Sequence, residues 1–433
     1  MLLLHLFACD GDQVVATGDS GSPADTVDTS VEGIPETGDD TDPVETGDTG
    51  KTDEEDLAYD AFYDLGTIQQ IVIEVSSLTM NDMDNEAYYA YSQHPSNPEL
   101  TYWDANILIN GERIDHVGLR LKGSSTFQYW SGKPSLKVKF DELVEGQRFA
   151  GLKRAVFNNM TGDPAMAREV IGYALWRDAG MAVPRANIAQ LYLVIDGEEP
   201  EYYGMYTNLE AYDSEWVERN YDDDGGDLWE GNDSADFTRN GISHFELTTG
   251  PGDTEALDEA RDQVQNHGDD FYAEVNDVLD MDQFLDFWAF SVAIGNRDGY
   301  PYNRNDFYIY HDPADGRFDF TPWGMDESFD TATAAGYWYY VGGSVAQFCL
   351  YYDATCPGRY MAAQEEAITF YEGYDMVSLT QAVFDLTEQA MADDPRKNWA
   401  GYAMSTSSVL AYRNVLLYRV EMQPQWLRSN MGL

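Results

Sequence analysis

The chain has 433 residues, 78 of them acidic against 25 basic, for a formal net charge of −53. So acidic a chain lacks the basic footprint that nucleic acid requires, which excludes DNA and RNA as partners. Residues 57 to 433 are aromatic-rich and long enough for a substantial core or for two lobes, and nowhere approach the ~18 consecutive apolar residues of a membrane span.

The chain opens "MLLLHLFACDG", an apolar run that stops at Cys9. A signal peptide carries a basic start, an apolar stretch and small residues at the cleavage site. Here the apolar stretch is minimal, and no Lys or Arg precedes it. Leu6-Phe7-Ala8-Cys9 nevertheless resembles the lipobox of bacterial lipoproteins, in which the cysteine becomes the lipidated first residue. The alternative is a chance apolar start, or a start codon set too far downstream. Residues 10 to 56 hold 16 acidic residues against one basic, Lys51, with no aromatic residue and no periodic apolar face. Such a segment buries too little surface to offset its ordering entropy, and its like charges keep it extended. The expectation is a signal and lipobox over 1–9 and a disordered acidic tether over 10–56. The product would be an exported lipoprotein of the bacterial cell envelope or surface, held to the membrane through a lipid on Cys9.

Next in the chain, "HVGLRLKGSSTFQYWSGKPSLKVKF" (116–140) gathers Arg120, Lys122, Lys133, Lys137 and Lys139. Its ends alternate apolar and basic residues, the pattern of two strands around a small-residue turn. Such a hairpin is either a solvated basic face or an anion site whose Gly-Ser-Ser turn offers backbone N–H groups to phosphate. In so acidic a domain the clustering favours the anion site. Lys153 is read as pointing outward. "DPAMAREVIGYALWRDAG" (163–180) reads as a helix with Asp163 as cap and Pro164 at its first position. "NIAQLYLVIDGEEPEYYGMYTNLE" (187–210) reads as two antiparallel strands ending at Glu210.

"NYDDDGGDLWEGND" (220–233) has the look of a calcium loop but lacks the bidentate Glu of an EF-hand, and is read as an acidic turn. "DMDQFLDFWAFSVAIGN" (280–296) is apolar on most sides, hence a buried helix. It delivers the chain into the polar loop "GNRDGYPYNRNDFYIY" (295–310). Strand, turn, strand and the acidic turn "GMDESF" follow. Cys349 and Cys356 lie close in sequence, a candidate disulfide in an exported protein and otherwise two unrelated thiols. The 360–420 region reads as amphipathic helices. The six histidines show no HExxH pairing and no G-x-S-x-G elbow occurs, so zinc and serine-hydrolase chemistry are not indicated.

The order of buried helix, polar loop, two-strand hairpin and acidic turn is the one protein kinases use for phosphoryl transfer, where positioning and charge do most of the work. Their loop pattern is H-R-D-x-x-x-x-N. This chain has Asn296-Arg297-Asp298, four residues, then Asn303, with Asp326 beyond the hairpin.

The ordered set "VGLRLKGSS", "KPSLKVKFDE", "RFAGLKRAVFNNMTGDPAMAREVIGYALWRDAGMAVPRA", "YYGMYTNLE", "GNRDGYPYNRNDFYIYHDP" and "PWGMDESF" resembles the spore-coat protein H (CotH) kinase family over roughly 65 to 425. The resemblance implies an α+β, atypical protein-kinase-like two-lobe domain over 57–425. Its N-lobe (65–212) would be an antiparallel sheet, its C-lobe (213–425) larger and mostly helical. It implies an ATP-dependent Ser/Thr protein kinase acting on an envelope or surface protein, with Mg or Mn. Asp298 would be the catalytic aspartate. Lys137 would contact ATP phosphates, with Lys122 and Arg120 on the same basic hairpin. Glu210 is the weaker nucleotide contact. Asn303 and Asp326 would bind metal, with Asn305 as the alternate to Asn303. Glu169 would pair with Lys137, or else stand exposed in the first turn of its helix. Many relatives carry an Asp two residues before Asp326, where this chain has Gly324. The competing reading is a non-catalytic surface-binding or structural lipoprotein on the same fold.

Overall fold

Strands built on alternating apolar and polar residues form the first half of the fold in the computed structural model, which describes residues 53–94, 98, 100–329 and 341–432. The lipobox at Cys9 and the tether as far as residue 52 lie outside the described residues. Helix α1 (Asp53–Phe62) begins inside the segment read as tether.

Seven strands close into a barrel: β1 (Ile68–Val75), β2 (Trp103–Ile109), β3 (Glu112–Lys122), β4 (Ser135–Lys139), β5 (Arg154–Asn158), β6 (Ala186–Ile195) and β7 (Glu201–Leu209), in the order β1-β2-β3-β4-β5-β7-β6. The expected antiparallel sheet is thus corrected in two respects: it closes on itself, and one pair, β1 with β6, is parallel. Closure through Ile68–Val75 against Ile188–Ile195 removes both free edges, which would otherwise present unpaired backbone groups. Period-two alternation then sends Leu119, Leu121, Leu136 and Val138 into the barrel interior, all at 2% exposure or less. Lys153, read as outward, is buried.

A second sheet has the order β11-β10-β8-β9, with β8 (Asp227–Gly231), β9 (Phe245–Thr249), β10 (Phe307–Asp312) and β11 (Arg317–Pro322). The segment 220–233, read as an acidic turn, is corrected: its residues Asp227–Gly231 are β8 itself, paired with β9 and β10. Against β11 packs helix α7 (Met281–Ile294), which shares its core with α3 (Arg168–Asp178), α9 (Cys356–Gly373), α10 (Met376–Asp393) and α11 (Thr406–Met431). They form a hydrophobic core separate from that of the barrel. The class is α+β. Cys349 and Cys356 are joined in a disulfide. Among the described residues no helix is long and apolar enough to cross a membrane.

Two helices set up the site. In α7 the Asp280 carboxylate caps the N-terminus by accepting from the Gln283 N–H at 3.0 Å. Gly295 ends the helix in the left-handed region (φ 67°), where a side chain would be strained, and so turns the chain into the polar loop. Helix α3 starts later than read, at Arg168. The Asp163 carboxylate accepts from the N–H groups of Ala165, Ala167 and Arg168, and Met166 between them is left-handed (φ 56°), so the first turn cannot be helical.

Candidate functional site

The basic hairpin and the polar loop face each other across one cleft of about 600 Å³. On the barrel side the register decides which cations reach it. Arg120 lies opposite Lys137, and Lys122 opposite Ser135, so the three basic side chains share one face of β3 and β4. That face is the outer one, since the intervening leucines fill the barrel. Arg120, Lys122 and Lys137 all line the cleft. Arg120 also lies over the Tyr102 ring and donates to the Leu100 carbonyl at 3.3 Å.

Lys122 is held from two sides. Its ammonium donates to the Asn158 carboxamide oxygen at 2.8 Å and stands 5.3 Å over the Trp323 ring. Asn158, at the end of β5, turns its amide nitrogen to Glu169 at 2.8 Å. The strand register therefore corrects the pairing expected for Glu169: Asn158 links that glutamate to Lys122, while Lys137 has Glu230 as its acidic neighbour. Glu169 is buried at 4% exposure, which also disposes of an exposed first-turn carboxylate. Burial raises its pKa, and Lys122, Thr207 and Asn158 oppose that rise. The Lys122 ammonium is pulled the other way, its pKa lowered by burial against the attraction of Glu169, Glu230 and Asp306.

The opposite wall is acidic. Asp298, three residues past the cap of α7, takes hydrogen bonds from both loop asparagines, the Asn303 amide and the Asn305 amide, the latter at 3.3 Å. Both asparagines thus hold the aspartate in this conformation. Arg297 pairs with Glu327 at 2.6 Å, tying the loop to the acidic turn. Asp326, in that turn, is pushed up to about 7, first by burial and then by Glu169, Glu327 and Asp163. Asp298, Asn303, Asn305 and Asp326 all line the cleft.

Glu210 does not line it. Its carboxylate accepts from the Tyr59 hydroxyl and from the Arg185 N–H, in a buried pocket closed by α1. The glutamate at the end of β7 thus anchors α1 to the barrel. Asn158, Glu230 and Asp306, to which the sequence assigns no role, also line the cleft. Asn158 alternates in β5 with interior residues, a signal that pointed to the cleft face. Asp306 belongs to the same polar loop as Asp298, Asn303 and Asn305. Burial, with Asp298 and Asp326 beside it, sets its carboxyl well above the usual range.

Among the described residues no three His, Cys, Asp or Glu side chains form a ready-made metal centre. The donors on the acidic wall are nonetheless all oxygens, the chemistry of Mg²⁺ or Mn²⁺. Magnesium commonly takes one or two carboxylates and shares its remaining positions with water and substrate phosphates. Asp326 also lies over a residue without a side chain: a Cβ at Gly162 would fall 1.9 Å from its Oδ2. The residues fit a cation shared with a polyphosphate.

A basic face, a half-buried lysine linked to a glutamate and an acidic loop meet in one cleft, a set of groups whose chemistry suits phosphorylated ligands. Residues 119–373 match the CotH kinase protein family, and the chain belongs to it. It is 23% identical over 275 residues to the inner spore coat protein H of Bacillus subtilis (strain 168), covering 58% of this chain and 71% of that protein. Among solved structures, the Shewanella oneidensis MR-1 toxin–antitoxin complex of HipA, HipB and operator DNA aligns over 78% of this chain and 66% of that one. The identity is 13% and the TM-score 0.31, too low a likeness to carry an argument.

Proposed function

We propose that the chain is an ATP-dependent protein kinase, with the barrel and the helical half acting as the two lobes of a kinase-like arrangement. One observation carries the reading. Lys122, linked through Asn158 to Glu169, faces the wall of Asp298 and Asp326 across the same cleft. Lys122 and Lys137 would meet phosphate oxygens, with Asn158 holding the Lys122 ammonium in place. Asp298, fixed by Asn303 and Asn305, would orient a Ser or Thr hydroxyl and take its proton as that oxygen bonds to the γ-phosphorus and ADP leaves. Asp326 would hold Mg²⁺ or Mn²⁺, which supplies positive charge to the phosphates.

The substrate would be an envelope or surface protein, reached by a domain exported and anchored through Cys9. A Cys9→Ser variant that partitions like the wild type between detergent and aqueous phases would remove the anchor. The test of the chemistry is transfer of labelled γ-phosphate by the purified protein, together with nucleotide-dependent thermal stabilisation in Mg²⁺ and in Mn²⁺. Transfer and stabilisation are expected. Melting indifferent to nucleotide, with no transfer, would leave a non-catalytic surface-binding or structural role.

A further inference from the structure

Asp306 and Gly324 stand at the same open end of one hairpin. Phe307 of β10 pairs with Pro322 of β11, and the Trp323 N–H donates to the Asp306 carbonyl at 2.9 Å, so the ladder continues one step past the strands. Beyond that step the Asp306 carboxylate lies over residue 324. A Cβ at Gly324 would fall 2.4 Å from Asp306 Oδ2 and 2.8 Å from its Cγ. No side chain at 324 can coexist with Asp306 in this conformation. Both residues are left-handed, Asp306 at φ 49° and Gly324 at φ 55°. Gly takes that conformation without steric cost, and Asp is among the few other residues that tolerate it.

The backbone thus turns the Asp306 carboxyl toward the cleft, where Asp298, Asp326 and Glu230 are its acidic neighbours. Lys122 faces it from the barrel. Its carboxylate therefore shares the cleft with the aspartate that would orient the acceptor and the aspartate that would hold the cation.

We propose that Asp306 is a second carboxylate ligand of the divalent cation in this cleft, occupying the space that a side chain at position 324 would take. The inference rests on the nucleotide-binding reading of the cleft. It also gives the glycine at 324 a physical reason, because only a residue without a side chain leaves room for the carboxylate. Asp306 and Asp326 then approach the cation from the two segments that the hairpin joins, with phosphate oxygens and water as the remaining ligands.

The test exchanges the two residues. Binding of a non-hydrolysable ATP analogue is measured by calorimetry with and without Mn²⁺, in wild type, Asp306→Gly, and the exchanged Asp306→Gly/Gly324→Asp. Glycine accepts the left-handed backbone at 306, and thermal melts confirm that each variant is folded. In the wild type Mn²⁺ should tighten binding of the analogue. Asp306→Gly should lose about tenfold or more of that gain, as expected for removing one charge-assisted contact. The exchanged variant should recover part of it, because a carboxylate at 324 points into the same space. A Mn²⁺ gain in Asp306→Gly equal to that of the wild type would overturn the proposal. So would a wild type that binds the analogue equally with and without Mn²⁺, although nucleotide binding would then stand. No binding of the analogue at all would overturn both readings. A gain that depends on Asp306 in a protein that transfers no phosphate would uphold the ligand and remove only the kinase activity.

Discussion

Lys133 and Asp394 form an ion pair at 2.7 Å with both side chains essentially shut off from solvent, at 1% and 0% exposure. The lysine lies at the tip of the basic hairpin and the aspartate just past α10, so the pair ties the barrel to the helical half. Asp394 also accepts from the N–H groups of Met205 and Arg396, and Lys133 lies over the Tyr206 ring. Of the five cations that stand out in 116–140, this one is therefore structural.

Removing one member of that pair should be more damaging than removing both. Asp394→Ala leaves a buried ammonium without its counter-charge, a change that costs about 3–5 kcal/mol. The double variant Lys133→Met/Asp394→Leu should recover most of that loss, since an apolar pair of similar volume is often neutral there. Urea unfolding of the three proteins checks the order. Equal stability of Asp394→Ala and wild type would show that the pair contributes nothing.

The link from Lys122 through Asn158 to Glu169 predicts unequal roles for the two cleft lysines. Lys122→Ala should weaken ATP binding by about ten- to a hundredfold, the range for a lost charge-assisted contact. Lys137→Ala should weaken it less, because the link through Asn158 to Glu169 is made by Lys122. Asn158→Ala should produce part of the Lys122→Ala loss without touching the charge itself. Calorimetric titration with ATP separates these outcomes, and a larger loss in Lys137→Ala would reverse the assignment.

Asp298 and Asp326 should fail in different ways. Asp298→Ala should still bind nucleotide with Mg²⁺, yet transfer should fall by about two to four orders of magnitude, the usual span for a lost acid–base group. Asp326→Ala should lose the metal-dependent part of nucleotide binding as well. Asn303→Ala and Asn305→Ala should lower the rate through a mispositioned Asp298 while leaving nucleotide affinity close to the wild type. Parallel binding and autophosphorylation measurements read both quantities. Full transfer by Asp298→Ala would end the kinase reading of the loop.

Stability should fall as pH rises from acid toward neutrality. Asp319 on β11 is pushed up to about 7 by burial first and then by Asp280, Asp315 and Asp312, with Arg317 opposing. An unfolded chain releases that proton near about pH 4. Between those values the folded form holds more protons, so its advantage is complete below about pH 4 and lost on passing 7. Asp319→Asn should raise the melting temperature at pH 8 by about 1 °C per kcal/mol recovered, with a flatter decline between pH 5 and 8. A profile parallel to that of the wild type would show that Asp319 does not titrate there.

Much of the local structure was legible before folding. The alternation in "VGLRLKG" and "SLKVKF" gave β3 and β4, and the apolar run 280–296 gave α7, because two-residue and helical periods are properties of neighbouring residues. The cation cluster and the Asp298–Asn303 spacing likewise marked both walls of the cleft. Closure of the barrel was not legible, since pairing of β1 with β6 joins segments about 120 residues apart.

The same distinction divides the site. By itself the sequence determined which chemistry was on hand: a basic hairpin, an acidic loop after a buried helix, and an acidic turn beyond a two-strand hairpin. Tertiary structure alone decided how those groups are assigned. Glu169 is joined through Asn158 to Lys122 rather than to Lys137, because register across β3, β4 and β5 sets which side chains are neighbours. Glu210 turns away to hold α1, and Asp306 reaches the cleft only because Gly324, eighteen residues on, leaves its carboxylate room. Side-chain partners across strands and turns are fixed by packing between distant segments, and no local pattern records that.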